Sequence, residues 1–138
     1  MRLWHKDLLE VLPREQLVSQ WRECSAIAGN ILTKGTPNHI LVNKIMDYDL
    51  NEFVSYAFYV RAEMTKRGYR TMDSVWKKIG SVVDTYKCLP ADRLFQNWHN
   101  TKYLIQCIYN LEEKWDCGGI SETDWLKIRA KYLELRNK

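Results

Sequence analysis

The apolar residues of this chain are spaced by the turn of an α-helix, and nowhere by the two-residue alternation of a half-buried strand. Leu17, Trp21, Cys24, Ala28 and Ile31 fall on one helical stripe, which needs a core to cover it. Pro13 suits a first helical position, and Gly35 with Pro37 stops the pattern, so a helix is predicted from Pro13 to Leu32. A loop follows over 33–38, then a short helix from His39 to Met46. Asp49-Leu50-Asn51-Glu52 has the form of a capping box, an acceptor at the N-cap and a glutamate three residues on. The helix it opens should bury Leu50, Phe53, Val54, Ala57, Val60, Arg61 and Met64. It should stop at Gly68 behind the basic pair Lys66-Arg67.

The same reading gives a short helix from Asp73 to Val83, a segment opened by Pro90, and a helix from Asn97 to Trp115 with Tyr103, Leu104, Cys107, Ile108 and Leu111 inward. Gly118-Gly119 breaks it. Ser121 to Asp124 caps a last helix that runs through Leu135, with Trp125, Ile128 and Leu135 inward. The expected fold is all-α, a compact single domain of three to four main helices over 1–138. Hydrophobic residues make up 46% of 138, enough at this length for a sizeable core.

Composition narrows the function classes. No run of about 18 apolar residues exists, so no membrane partner is expected. His5, Lys6 and Asp7 directly follow Trp4, which leaves no apolar stretch for a secretory signal, so a cytoplasmic protein is expected. Cys24, Cys88, Cys107 and Cys117 form no C-x-x-C pair and read as free, mostly buried thiols, with no metal site. The net charge of +4 permits a nucleic-acid partner without demanding one. Trp21, Trp76 and Trp125 occupy helical apolar positions and read as core. Lys66, Arg67 and Arg70 read as cations at a helix C-terminus, and Lys127, Arg129, Lys131 and Arg136 as either a basic footprint or a solvated face.

Two features bear on chemistry. An α-amino group has a reference pKa of about 7.7–8.0 against about 10.4 for lysine, so the Met1 amine is the amine most readily unprotonated near neutral pH. Arg22 and Glu23 flank the outer face of the first helix, about 100° and about 160° from its apolar stripe. Ser19 and Ala26 leave that face open to something bulky. On these residues alone Arg22-Glu23 also reads as an ordinary solvated face.

Arg2 together with Trp21-Arg22-Glu23 resembles the pyrimidine-dimer DNA glycosylase/AP-lyase family. Gln16-Leu17, Asn38-His39-Ile40, Ala62-Glu63 through Lys66-Arg67-Gly68-Tyr69, and His99-Asn100 followed by Leu111-Glu112-Glu113-Lys114 resemble further family segments in the same order. The similarity is patchy and extends to about residue 115. The resemblance implies a compact helical enzyme that binds damaged double-stranded DNA as a monomer, extrudes a base and uses no metal or organic cofactor. It implies attack by the N-terminal amine on the sugar, a Schiff base, and strand cleavage by β-elimination. Carried over by residue, the Met1 amine is the nucleophile and Glu23 the assisting carboxylate. Arg2 and Arg22 hold phosphates, and Gln16, His39 and His99 complete the DNA-binding set. Arg2 is too large a second residue to favour removal of Met1. Ala26 stands where the family has another phosphate-binding arginine, and Gln16 where it has a histidine. Two other readings remain open: a DNA-binding protein of this fold without catalysis, and a helical protein-interaction module.

Overall fold

A computed structural model describes all residues, 1–138. Five α-helices carry the chain: α1 Arg14–Lys34, α2 Leu50–Lys66, α3 Asp73–Gly80, α4 Thr101–Asp116 and α5 Glu122–Arg136. Three 3-10 helices, Lys6–Val11, Asn43–Asp47 and Ala91–Arg93, complete it, and there is no strand. The all-α expectation holds, with four long helices and the two-turn α3. α1 packs on α2 and α3, α4 pairs with α5, and α2 and α5 both close on the Lys6–Val11 turn. One hydrophobic cluster runs from Leu3 to Ile128. No helix is long and apolar enough to cross a membrane.

The helix ends follow their local chemistry. Pro13 is the N-cap of α1, and Gly35 closes it in the left-handed region at φ 75°, its N–H donating to the Ile31 carbonyl at 2.9 Å. Gly68, at φ 84°, does the same for α2. Ser121 accepts from the Asp124 N–H at 3.1 Å, and Asn100 from the Tyr103 N–H at 2.9 Å. The Asn100 cap starts α4 at Thr101, later than Asn97. The segment after His39 forms a turn and then the 3-10 helix Asn43–Asp47 rather than one helix from His39. Asp73 opens α3, which ends at Gly80 short of Val83.

The capping box is half-formed. Asp49 Oδ1 accepts from the Asn51 N–H at 2.8 Å, but Glu52 Oε1 does not turn back to the cap. It accepts instead from the Phe95 N–H at 2.7 Å. That bond holds Phe95 at φ 53°, a region an aromatic residue rarely enters. The reversed backbone packs the Phe95, Trp98 and His99 rings together, with centroids 4.8–5.0 Å apart.

The largest departure from the expected helices is the first twelve residues. Leu3, Leu8 and Leu12 are completely or almost completely buried, with Trp4, His5 and Leu9 beside them. This segment has no strand to pair with, so its backbone groups must be met by side chains. Gln20 and Tyr56 serve residues 2–4, and Tyr103 donates to the Leu3 carbonyl. His99 Nδ1 accepts from the Lys6 N–H at 3.0 Å. Arg67 donates to the carbonyls of Leu9, Glu10 and Leu12 while pairing with Glu63 at 2.8 Å. Arg67 is thus tied into the fold rather than left as a free cation at a helix end. Lys131 is likewise paired, with Glu10 and Glu134.

Candidate active site

The site begins at the one polar residue on the core side of α1. Gln20 is completely buried, between Leu17 and Cys24 on the inward stripe. Its Oε1 accepts from the Trp4 N–H at 2.7 Å and lies 2.9 Å from the Tyr56 hydroxyl. The Tyr56 hydroxyl is also 2.6 Å from the Trp4 carbonyl, so its single proton is shared between two acceptors. Gln20 Nε2 donates to the Arg2 carbonyl at 3.0 Å and to Glu23 Oε2 at 3.1 Å. One amide therefore joins the segment that carries the Met1 amine to the carboxylate three residues along α1.

Glu23 is half-buried, because the N-terminal segment lies over its side of α1. Burial is the main influence on its pKa and raises it. The positive N-terminus pulls it back, followed by the Arg2 backbone N–H, His39 and Lys114. The amine and Glu23 thus sense each other's charge, without a direct ion pair between them. Met1 is exposed at the surface.

Arg2 links this pair to a groove of about 630 Å³. Arg2, Lys44 and Lys102 line the groove, with Trp98, Tyr103 and Tyr109 and the amides of Asn97, Asn100, Gln106 and Asn110. No carboxylate lines it. The Arg2 guanidinium also sits 5.5 Å over the Trp4 ring and 4.0 Å from Cys107 Sγ, which orients it toward the groove wall. A concave surface with cations, aromatic faces and amide groups, and without acids, attracts a polyanion that carries stackable bases.

The other expected site residues divide between surface and interior. Arg22 is exposed on α1 with no hydrogen-bond partner. His39 is half-buried, its Nδ1 accepting from the Leu41 N–H at 3.3 Å, close enough to influence Glu23. Gln16 is half-buried and its Oε1 is buried without a partner, away from the groove. His99 is buried behind the groove wall, within 5.2 Å of the His5 ring and 4.9 Å of Tyr103. Burial first, then His5 and Lys6, push its pKa down to about 2, so it stays neutral. Its Nδ1 accepts a backbone N–H, so the proton is on Nε2, which has no partner. The structure thus brings together Met1, Arg2, Glu23 and His39, leaves Arg22 on the open face, and sets Gln16 and His99 inside.

Cys24 and Cys107 are buried, while Cys88 and Cys117 are exposed, so burial applies to half the thiols. No three His, Cys, Asp or Glu side chains gather in a metal-binding arrangement. Trp21 and Trp125 are core as expected, Trp76 is half-buried, and Trp4 and Trp98 are core too. Sequence reasoning missed Lys44, Lys102 and Tyr109 of the groove. It also passed over Gln20, whose signal was a polar residue inside an apolar helical stripe.

The fold and the site define an all-helical protein with an amine and a carboxylate set beside a cationic groove. The pyrimidine dimer DNA glycosylase family model matches residues 1–78, and the chain belongs to that family of DNA-repair glycosylases. The match ends inside α3, so the groove wall built by Trp98 and α4 lies beyond it. No curated protein and no solved structure matches the chain.

Proposed function

We propose that this protein is a DNA glycosylase with AP-lyase activity, in which the Met1 amine attacks damaged duplex DNA and Glu23 assists. The observation that carries the reading is the pairing of the α-amine with a half-buried carboxylate, joined through Gln20 and opening beside an acid-free groove.

The unprotonated amine adds its lone pair to C1′ of the damaged nucleotide, and the C1′–N bond to the base breaks with its electrons leaving on the base. Positive charge grows on the sugar, and the Glu23 carboxylate stabilises it. The proton lost by the amine passes to O4′ as the C1′–O4′ bond breaks, which opens the sugar ring and leaves a protonated imine between Met1 and C1′. Removal of the C2′ proton drives out the 3′ phosphate with the C3′–O electrons, and Glu23 shuttles that proton. Water then hydrolyses the imine and frees the amine. Arg2 and Arg22 hold phosphates, with Lys44 and Lys102 along the groove, so affinity falls as salt rises. C1′ lies inside a duplex, so the base must be extruded or the DNA bent before attack. Family membership favours pyrimidine dimers as the lesion.

The test is borohydride trapping on duplex DNA with a single abasic site. A covalent adduct that disappears after N-terminal acetylation is expected. Folded protein that binds this DNA and yields no adduct would overturn the lyase assignment. An adduct that survives acetylation would move the nucleophile to a lysine.

A further inference from the structure

We propose that Gln20 is the positioning residue of this site, fixing the distance between the amine-bearing segment and Glu23. The inference rests on the Schiff-base reading above and adds to it the group that sets the geometry.

Gln20 is completely buried at a helix position where Leu, Met or Ile would pack without needing polar partners. A buried primary amide can accept two hydrogen bonds and donate two, and all four capacities are used here. Its orientation is not ambiguous. Trp4 presents a backbone N–H, which only Oε1 can accept, so Nε2 must face the Arg2 carbonyl and Glu23. Turned the other way, the amide would set its oxygen against a carbonyl and a carboxylate.

The two Nε2 bonds converge on the reacting pair. One ends on the Arg2 carbonyl, a single residue from the amine, and the other on Glu23 Oε2. The amide is planar, so both acceptors are held at one nitrogen with little freedom. No other side chain that pairs with residues 2–4 also hydrogen-bonds to Glu23: Tyr56 reaches the segment and Gln20, and Tyr103 reaches the segment. His39, Lys114 and the N-terminus face Glu23 as charges, which act over distance, while the Arg2 backbone N–H also bears on Glu23 from the residue whose carbonyl Gln20 holds. A donor on Oε2 also favours the carboxylate over its protonated form, against burial.

Two variants separate positioning from packing. Gln20→Glu keeps an oxygen for the Trp4 N–H and the Tyr56 hydroxyl but replaces Nε2 with an acceptor. Gln20→Met keeps the volume and removes both sets of bonds. Tyr59→Phe, which deletes a hydroxyl bonded to the Leu89 carbonyl at 2.7 Å away from the site, supplies a control that loses stability alone. The measurement is the single-turnover rate of borohydride trapping on abasic duplex DNA, with binding of a tetrahydrofuran-containing duplex measured in parallel. Both Gln20 variants are expected to trap about 10²-fold more slowly, the loss typical of a misplaced reacting group, with binding intact. In the Gln20→Glu variant, protonation of the introduced carboxyl as the pH falls restores one donor. The ratio of the Gln20→Glu rate to the wild-type rate should therefore rise, while the Gln20→Met ratio stays flat.

Folded Gln20 variants that trap at the wild-type rate would overturn the positioning role and leave the lyase reading intact. Wild-type protein that binds and never traps would overturn both. Should neither variant fold, the Gln20 side-chain amide protons of the wild-type protein are followed by NMR. They should titrate with Glu23 and lose that titration in Glu23→Gln. Amide shifts indifferent to Glu23 would sink the proposal.

Discussion

Two grooves on this molecule look alike by size and cation content and differ in what their charges do. The first, about 630 Å³, has Arg2, Lys44 and Lys102 and no acid. The second, about 500 Å³, has Lys6, Lys66, Lys131 and Lys138 together with Asp7, Glu10 and Glu63. In the second, every cation except Lys66 already has a partner within the fold. Lys131 pairs with Glu10, Lys6 donates to the Leu94 carbonyl at 2.6 Å, and Glu63 holds Arg67. In the first, Lys44 and Lys102 have no partner, and aromatic rings and amides stand between them. The number of cations therefore does not mark the face that awaits a polyanion; the absence of internal partners does.

The sharpest way to break this contrast is at the carboxylates. Glu23→Gln should lower trapping turnover by about 10²–10⁴-fold while leaving DNA binding largely intact. Equal loss of both, by trapping and gel shift, would make Glu23 a structural carboxylate. Acid should weaken the fold behind the first groove. His99 is neutral in the folded protein, with its pKa near 2, and protonates near 6.5 when unfolded. The unfolded chain therefore binds the extra proton, so stability is full above about pH 6.5 and falls as pH drops below it. Between pH 7.5 and 5 this one residue should remove about 2 kcal/mol, read by urea unfolding, and His99→Gln should flatten the slope.

Smaller effects test the cations. Lys44→Ala combined with Lys102→Ala should reduce the salt slope of DNA binding by about 2, with unchanged thermal stability. Lys131→Ala, in the second groove, should leave that slope alone. An equal change in slope from both would end the distinction between the grooves. Glu63→Gln should cost about 1–2 kcal/mol of stability through loss of its charged bond to Arg67, with no change in trapping. A trapping defect there would show that the second groove also takes part.

Helices whose stripes cover a core were readable because burial and spacing are local. Leu17, Trp21, Cys24 and Ala28 on α1, and Phe53, Val54, Ala57, Val60 and Met64 on α2, are buried as their periods require. The caps at Asp49 and Ser121 were readable for the same reason. Glu52 was not, because its partner, the Phe95 N–H, lies 43 residues away. The first twelve residues are rich in apolar positions, but they fold as extended chain and a 3-10 turn whose backbone groups are met by side chains of α1, α2 and α4 far along the sequence, and no local pattern announces that. The Met1, Arg2 and Glu23 constellation was legible only through family likeness. Its geometry depends on that buried segment, and the groove beside it on Trp98 and α4, which lie outside the matched residues.

The sealing of Leu3 and Trp4 in the core has a consequence for how the start of the chain opens. Terminal residues ordinarily fray in the folded state and exchange their amide protons quickly. Here the Trp4 N–H is bonded to a fully buried amide, so it should exchange only when the core itself opens, as slowly as amides in the middle of α1. An aminopeptidase would meet the same barrier. Trimming past Arg2 into the buried Leu3 and Trp4 would have to wait for global unfolding.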